Sequence, residues 1–394
     1  MFEDTMTRHL FKPDHNMFRE QVQRFVETEI LPYHDKWDEL GVVSREVWEK
    51  AGAAGMLCPT VPQEYGGAGA DYLFSVVVME EMARVGASGP GFSIHSEMAA
   101  PYLERFGSED QKSLWLPKFV SGETISGIAL TEPGAGSDLR RMATSAKKTN
   151  TGYVLNGQKV FISNGQLGDV FFVAAKTKNE YATDSVSLFL VEADTPGFSR
   201  GKNLNKIGAK AQDTSELFFN NVEVPHENLV GEEEGQGFFQ LMHGLARERL
   251  AIAVSSLAKS EGAFRDTLAY VGDRELFHKK LTEFQNTQFK LAEVHTELTV
   301  GRCMVDRLLE EYLIGDLSAE TAAAAKLWTT EMQGRTVDTC LQPFGGWGYM
   351  WEYPIARAYA EARVERIAGG SSEVMKSIIS KSLFKKMNIK TDLS

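Results

Sequence analysis

Cysteine is scarce in this chain. Only Cys58, Cys303 and Cys340 occur in 394 residues. An odd number at wide spacing excludes a disulfide framework and any CxxC metal site, and fits a reducing compartment. No run of roughly 18 apolar residues exists, so no membrane span is expected. The opening MFEDTMTRHLFKPDH lacks a signal-peptide apolar core and is too acidic for a transit peptide. The expectation is a cytoplasmic chain, or a mitochondrial matrix protein if the sequence is that of a processed chain. Positive charge is also in deficit. The 42 Lys and Arg face 54 Asp and Glu, a formal charge of −12, which argues against a nucleic-acid surface.

Several catalytic signatures are missing. There is no GxxxxGK[ST] phosphate loop, no GxGxxG after a strand, no HExxH and no GxSxG elbow. The eight histidines are scattered, and no metal site is expected. A P-loop NTPase, a Rossmann nicotinamide enzyme, a metallohydrolase and a serine esterase are disfavoured together.

Proline is sparse too, with 12 in the chain and none between Pro225 and Pro343. Proline costs about 3 kcal/mol inside a helix, so this stretch suits a helical bundle. Leu241, Leu245, Leu250, Val254 and Leu257 recur at helical spacing. Phe284, Phe289, Leu291, Val294, Leu298 and Met304 extend the pattern. Thr321–Thr339 reads as another helix, with Asp316-Leu317-Ser318 offering its cap. Residues 1–120 look helical as well, with Phe18, Val22, Phe25, Val26 and Ile30 on one face. The middle changes period. Residues 153–162 form two short runs around Asn156-Gly157, a strong hairpin signal. Asp169–Ala175, Val186–Val191 and Glu216–Phe219 are further β-rich runs. The expected class is α+β, mainly α. It comprises an N-terminal helical domain (1–125), a central β-barrel-like domain (126–236) and a C-terminal four-helix bundle (237–394).

Four segments carry candidate chemistry. TEPGAGSD at 131–138 follows an apolar strand, and its glycines let backbone N–H groups approach an anion or a ring. In FISNG at 161–165, Phe161 and Ser163 lie two apart on a strand and share a face. QPFGGWG at 342–348 follows a helix. GGSSEVMK at 369–376 precedes one, with Ser371 and Ser372 suited to an N-cap and an anion-attracting helix start.

In this order and spacing, the four segments resemble the acyl-CoA dehydrogenases, over about residues 15–390. AQDTSELFF at 211–219, ARERLAIA at 246–253 and FGGWGYMWEYPIARAY at 344–359 are similar to the long-chain branch. The resemblance implies FAD held non-covalently between the β domain and the C-terminal bundle. Residues 128–137, with Ile128, Leu130, Thr131, Gly136 and Ser137, would lie along the flavin. Phe161 and Ser163 would cover its ring. Ser137 would also meet the CoA substrate. Arg274, Phe277 and Gln285 match positions that bind the FAD of a neighbouring subunit, as do Gln342, Gly345 and Gly346. Ser371 and Glu373 match positions near the adenosine diphosphate. His278 stands where relatives carry a glycine, which bears on the turn after Arg274. A shared cofactor implies an obligate homo-oligomer, usually a tetramer built as a dimer of dimers.

The implied reaction removes a proton alpha to a thioester carbonyl and a hydride from the beta carbon, giving a trans-2-enoyl-CoA. It needs a carboxylate base and donors on the thioester oxygen. Many relatives carry the base just before the glycine of the C-terminal loop, but here that position is Gly369. The long-chain and isovaleryl branches place it on a bundle helix, and the match is Glu248. Its neighbours Leu245, Leu250 and Ile252 could raise its pKa by desolvation. The backbone N–H of Gly369 could still polarise the thioester. Phe239, Arg249 and Gly370 are expected on the substrate side. The implied function is alpha-beta dehydrogenation of a medium- or long-chain acyl-CoA, with electrons passed to an electron-transfer flavoprotein. A branched-chain dehydrogenase, an oxidase or flavin monooxygenase of the same fold, and a non-catalytic scaffold remain the alternatives.

Overall fold

The computed structural model describes residues 8–179, 182–231 and 233–387. Residues 1–7, on which the targeting expectation partly rests, lie outside them.

The N-terminal third is helical: α1 (Pro13–Phe25), α2 (Leu31–Leu40), α3 (Glu46–Ala53), α4 (Tyr72–Arg84), α5 (Ala100–Phe106) and α6 (Glu109–Ser121). Their starts follow local chemistry. Pro13 opens α1, the Asp71 side chain accepts from the Leu73 N–H to cap α4, and Ser108 and Gln111 form a capping box on α6. Val22, Phe25, Val26 and Ile30 are buried, so the expected apolar face holds. It passes through a widened π-helical turn at Val26–Ile30. A second such turn, Ile94–Ala99, precedes α5. Turns of this kind cluster at functional sites.

The middle is a curled sheet of seven strands: β1 (Ser126–Ala129), β2 (Ser145–Lys148), β3 (Gly152–Ser163), β4 (Val170–Asn179), β5 (Ala182–Glu192), β6 (Phe198–Asn203) and β7 (Thr214–Pro225). The order is β1-β4-β2-β3-β7-β6, with β5 on β4. The hairpin expected at Asn156-Gly157 is not there. One strand, β3, runs straight through it, because β2 and β7 pair with it on both sides. Gly157 instead marks a bulge, and a Cβ there would stand 2.4 Å from Thr144 Oγ1. Asn-Gly here serves close backbone approach rather than a turn.

The proline-free stretch folds as α7 (Gly237–Asp273), a short ribbon of β8 (Glu275–Leu276) and β9 (Lys279–Lys280), α8 (Gln285–Leu313) and α9 (Ala319–Leu341). Helices α10 (Pro354–Glu365) and α11 (Ser372–Lys386) follow. Ser318 caps α9 through the Thr321 N–H. Leu250, Val254 and Leu257 of α7 meet Val294 and Leu298 of α8 and Met332 of α9 in one core, which takes in Leu73 and Val76 of α4. Phe289 lies outside that core and is 59% exposed. A buried ion cluster also ties the two helical regions, with Glu80 taking charge from Arg8, Arg19 and Arg302.

Candidate active site

The N-terminal third of α7 faces a cavity of about 560 Å³, walled on the other side by the second π turn and α5. Its lining includes Met98, Pro101, Tyr102, Phe106, His243 and Glu248. Glu248 is half-buried. Burial raises its carboxyl above the usual pKa, opposed by the Tyr102 hydroxyl and the charge of Arg249. Tyr102 Oη donates to Glu248 Oε1 at 2.7 Å. Gly244, one turn earlier on α7, makes room for the pair. A Cβ there would stand 2.6 Å from Tyr102 Oη and 3.0 Å from Glu248 Oε1. The flanking arginines do not clamp the glutamate. Arg247 pairs with Glu97 at 2.6 Å. Arg249 is 3% exposed, lies outside the cavity lining, and leaves its Nε without a partner.

Gly369 packs against the same helix. A Cβ on it would fall 2.3 Å from Ile252 Cδ1, and its φ is +63°. Ile252 is four residues from Glu248, so the two share a face of α7. The left-handed backbone disfavours a side chain at 369, and a Cβ there would push the end of the Ile252 side chain aside. Gly370 follows with φ +95°, and its carbonyl accepts from Lys326 Nζ of α9 at 2.7 Å. Lys326 is fully buried, and that burial pulls its pKa down to about 8.

The motifs at 131 and 161 come together at one end of the sheet. The Val160 N–H donates to the Thr131 carbonyl at 2.9 Å, setting Phe161 beside Thr131. Phe161 is 66% exposed and has φ +62°, a strained conformation for a bulky residue. Ser163 is half-buried, and Asn164 ties its strand to β1 through the Ser126 carbonyl at 3.0 Å. Ile128, Leu130 and Thr131 are half-buried, and Gly136 and Ser137 are exposed. A Cβ on Gly134 or Gly136 would meet nothing within 4 Å, so the bare backbone looks onto open space. Glu132 pins this turn from beneath. It accepts from Lys159 Nζ at 2.8 Å and from the N–H groups of Ala143 and Thr144 at 2.6 and 3.0 Å. Although burial opposes it, these bonds hold the Glu132 carboxyl below its usual range.

A second cavity, about 450 Å³, lies at the far end of α7 and is lined by Arg274, Leu276, Phe344, Gly345, Gly346 and Trp347. The structure thus unites Arg274 with the 342–346 segment. Gln342 opens the short helical turn that carries these glycines. Phe277 and His278 form the tip of the β8–β9 ribbon, both with positive φ (52° and 63°). Two such residues suit a two-residue hairpin turn, so the turn survives without the glycine. Phe277 is 86% exposed, and Gln285 at the start of α8 is exposed. Ser371 caps α11 by accepting from the Val374 N–H, and Glu373 sits exposed in its first turn. Phe239 is 55% exposed and packs edge-on against His243 of the first cavity, ring centroids 4.5 Å apart.

Sequence reasoning missed Tyr102, Gly244, Lys326 and the Glu132–Lys159 pair. A glycine inside a long helix, four residues before the glutamate, was the available signal for the first two. Among the described residues, no group of His, Cys, Asp and Glu is arranged to hold a metal ion. No helix among them is long and apolar enough to cross a membrane.

Comparison with known proteins agrees with this architecture. Profiles of the acyl-CoA dehydrogenase N-terminal, middle and C-terminal domains match residues 12–123, 127–222 and 235–384. The long-chain specific acyl-CoA dehydrogenase, mitochondrial, of Sus scrofa is 45% identical over 382 residues, covering 96% of this chain and 89% of the relative. The crystal structure of an acyl-CoA dehydrogenase from Geobacillus kaustophilus superposes with a TM-score of 0.93 at 45% identity, covering 96% of this chain and 100% of that one. A glutaryl-CoA dehydrogenase from Mycobacterium smegmatis, solved in complex with FADH2, superposes with a TM-score of 0.90 at 30% identity, covering 96% of each chain.

Proposed function

The chain belongs to the acyl-CoA dehydrogenase family, and from that premise we propose that it oxidises a medium- or long-chain acyl-CoA to the trans-2-enoyl-CoA with Glu248 as base. The observation that carries the proposal is the Glu248 carboxylate, desolvated, held by Tyr102 and facing the cavity, while position 369 is a glycine whose left-handed backbone disfavours a side chain.

The acyl chain occupies the first cavity, with its alpha carbon beside Glu248. Desolvation raises the basicity of Glu248, so it takes the alpha proton more readily near neutral pH. The Tyr102 bond fixes which oxygen is free to do so. The Gly369 N–H meets the thioester oxygen as charge develops there. Lys326 holds the loop that presents that donor, and Ser137 and Gly370 border the CoA side.

FAD fits the residues present. Uncovered backbone at Gly134 and Gly136 beside an exposed Phe161 makes a floor for a flat ring, with Ile128, Leu130, Thr131 and Ser163 around it. The bound flavin supplies the acceptor for the hydride that leaves the beta carbon. Ser371 and Glu373 would hold the diphosphate side. Arg274, Phe277, Gln285, Gln342, Gly345 and Gly346 would hold the FAD of a second copy. Helical rise argues for that second copy. Arg274 lies 26 residues beyond Glu248, hence about 39 Å along α7 at 1.5 Å per residue. Exposed Phe277, Phe289, Trp347 and Tyr349 give such a copy an apolar surface to cover.

The electron acceptor is an electron-transfer flavoprotein. The test mixes FAD-loaded protein anaerobically with straight and branched acyl-CoA esters and follows flavin bleaching. It then compares dye reduction with H₂O₂ formation in air. Bleaching with dye reduction and little H₂O₂ supports the proposal. Fast H₂O₂ formation supports an oxidase, and absence of bleaching by any ester rejects dehydrogenation.

A further inference from the structure

The first cavity is strongly ionic for a place that receives hydrocarbon. Besides Glu248 its lining contains Glu97, Glu104, Arg105, Arg247 and His243. The most buried of these form a pair: Glu97 is 3% and Arg247 13% exposed. Arg247 directs Nε and Nη2 to the same oxygen, Glu97 Oε2, at 3.3 and 2.6 Å. Nη2 also reaches Thr60 Oγ1 at 3.3 Å, and the guanidinium lies 4.9 Å over the Tyr72 ring. Glu97 Oε1 accepts no hydrogen bond among the described residues and belongs to a side chain that lines the cavity. Arg247 and Glu248 are consecutive on α7, about 100° apart around the axis, so a chain lying beside Glu248 also passes this pair.

We propose that the cavity selects an acyl-CoA whose tail carries a neutral hydroxyl group, held by Glu97 and Arg247. This rests on the reading above that the acyl chain occupies the cavity. Plain methylenes laid against the pair would strip water from Glu97 Oε1 and return no donor. A hydroxyl donates to Oε1, the acceptor left open, and its oxygen is compatible with the adjoining guanidinium, which Glu97, Thr60 and Tyr312 already share. A tail carboxylate would meet Glu97 and Glu104, and a tail ammonium would meet Arg247 and Arg105. The neutral donor is the one that fits both signs.

The test measures kcat/KM for dye reduction by the FAD-loaded protein with three CoA esters of equal chain length: unsubstituted, terminally hydroxylated and terminally carboxylated. The hydroxylated ester is expected to exceed the other two by about tenfold or more, mainly through KM, since sites built to bond a hydroxyl discriminate strongly against its absence. In E97L/R247M, which removes both charges rather than orphaning one, the order is expected to reverse in favour of the unsubstituted ester. Wild-type protein that prefers the unsubstituted or the carboxylated ester overturns the proposal, as does a double variant that keeps the hydroxyl preference. If the double variant does not fold, the wild-type comparison alone decides. If no ester bleaches the flavin, the dehydrogenase reading falls, and this proposal with it. Bleaching with the wrong preference leaves that reading standing.

Discussion

The Tyr102 hydroxyl donates to Glu248 Oε1 at 2.7 Å, joining α5 to α7 at the point where both line the cavity. A donor on an ionised carboxylate favours the ionised form, so this bond partly offsets the upward shift that burial imposes. Tyr102→Phe should therefore raise the Glu248 pKa further. The acid limb of the kcat profile moves to higher pH, and activity at neutral pH falls while the alkaline plateau is kept. An unmoved acid limb would show that Tyr102 does not touch the base that titrates.

Glu248→Gln keeps the shape of the side chain and removes its proton affinity. Turnover should vanish while the flavin absorbance of the purified protein stays at the wild-type level. Stopped-flow bleaching by acyl-CoA is the measurement, and bleaching at the wild-type rate would assign the proton to another group.

Gly369 offers a test of the proposed placement of the base on α7. Its φ of +63° is the left-handed region, where a side chain costs about 1–2 kcal/mol. Gly369→Ala should lower thermal stability by at least that much, because its Cβ must also displace Ile252. In an E248Q background, Gly369→Glu should leave the enzyme dead. Adding Ile252→Ala should open the space and return measurable dehydrogenation. Rescue by G369E alone would refute the packing argument.

Lys326 gives a pH signature of its own. Burial depresses its folded pKa to about 8, below the usual 10.5. The folded chain thus releases this proton before the unfolded chain does. Between those two values the unfolded state binds more protons, so stability should rise with pH relative to a variant that lacks the group. Below pH 8 the full cost of the buried ammonium remains. The difference in melting temperature between wild type and Lys326→Met should therefore shift in favour of wild type from pH 7 to pH 10. A difference independent of pH would mean that the lysine titrates in the folded chain as it does in the unfolded one.

Periodicity and proline placement made the helical regions legible, because a long amphipathic helix without proline has few competing folds. Short strands were harder. Asn156-Gly157 resembles a turn locally, but pairing of β3 on both edges overrode that signal. The glutamate stood out as a candidate because the loop position held a glycine, while the left-handed backbone and the Ile252 neighbour at that glycine belong to tertiary structure. Tyr102 and Lys326 escaped notice for the same reason. Each lies far along the chain from the group it holds, and neither stands in a motif. Glu97 and Arg247 are likewise 150 residues apart, so their pairing has no sequence signature.

The strongest test of the shared cofactor site uses two defective proteins. If Arg274 serves the flavin of a second copy, Glu248 and Arg274 of one chain belong to different sites. Glu248→Gln protein should be inactive with flavin bound, and Arg274→Ala protein poor in flavin and activity. In a mixed pair, both defects fall on one site, and the other keeps an intact Glu248 and an intact Arg274. Co-expression of the two variants should then recover activity that neither shows alone. For random pairing across a two-fold axis the yield is about a quarter of wild type. If instead each chain's Arg274 served its own flavin, every site in a mixed pair would carry one defect. Complementation would be absent, and α7 would have to bend its two ends to a common site despite about 39 Å of helix between them.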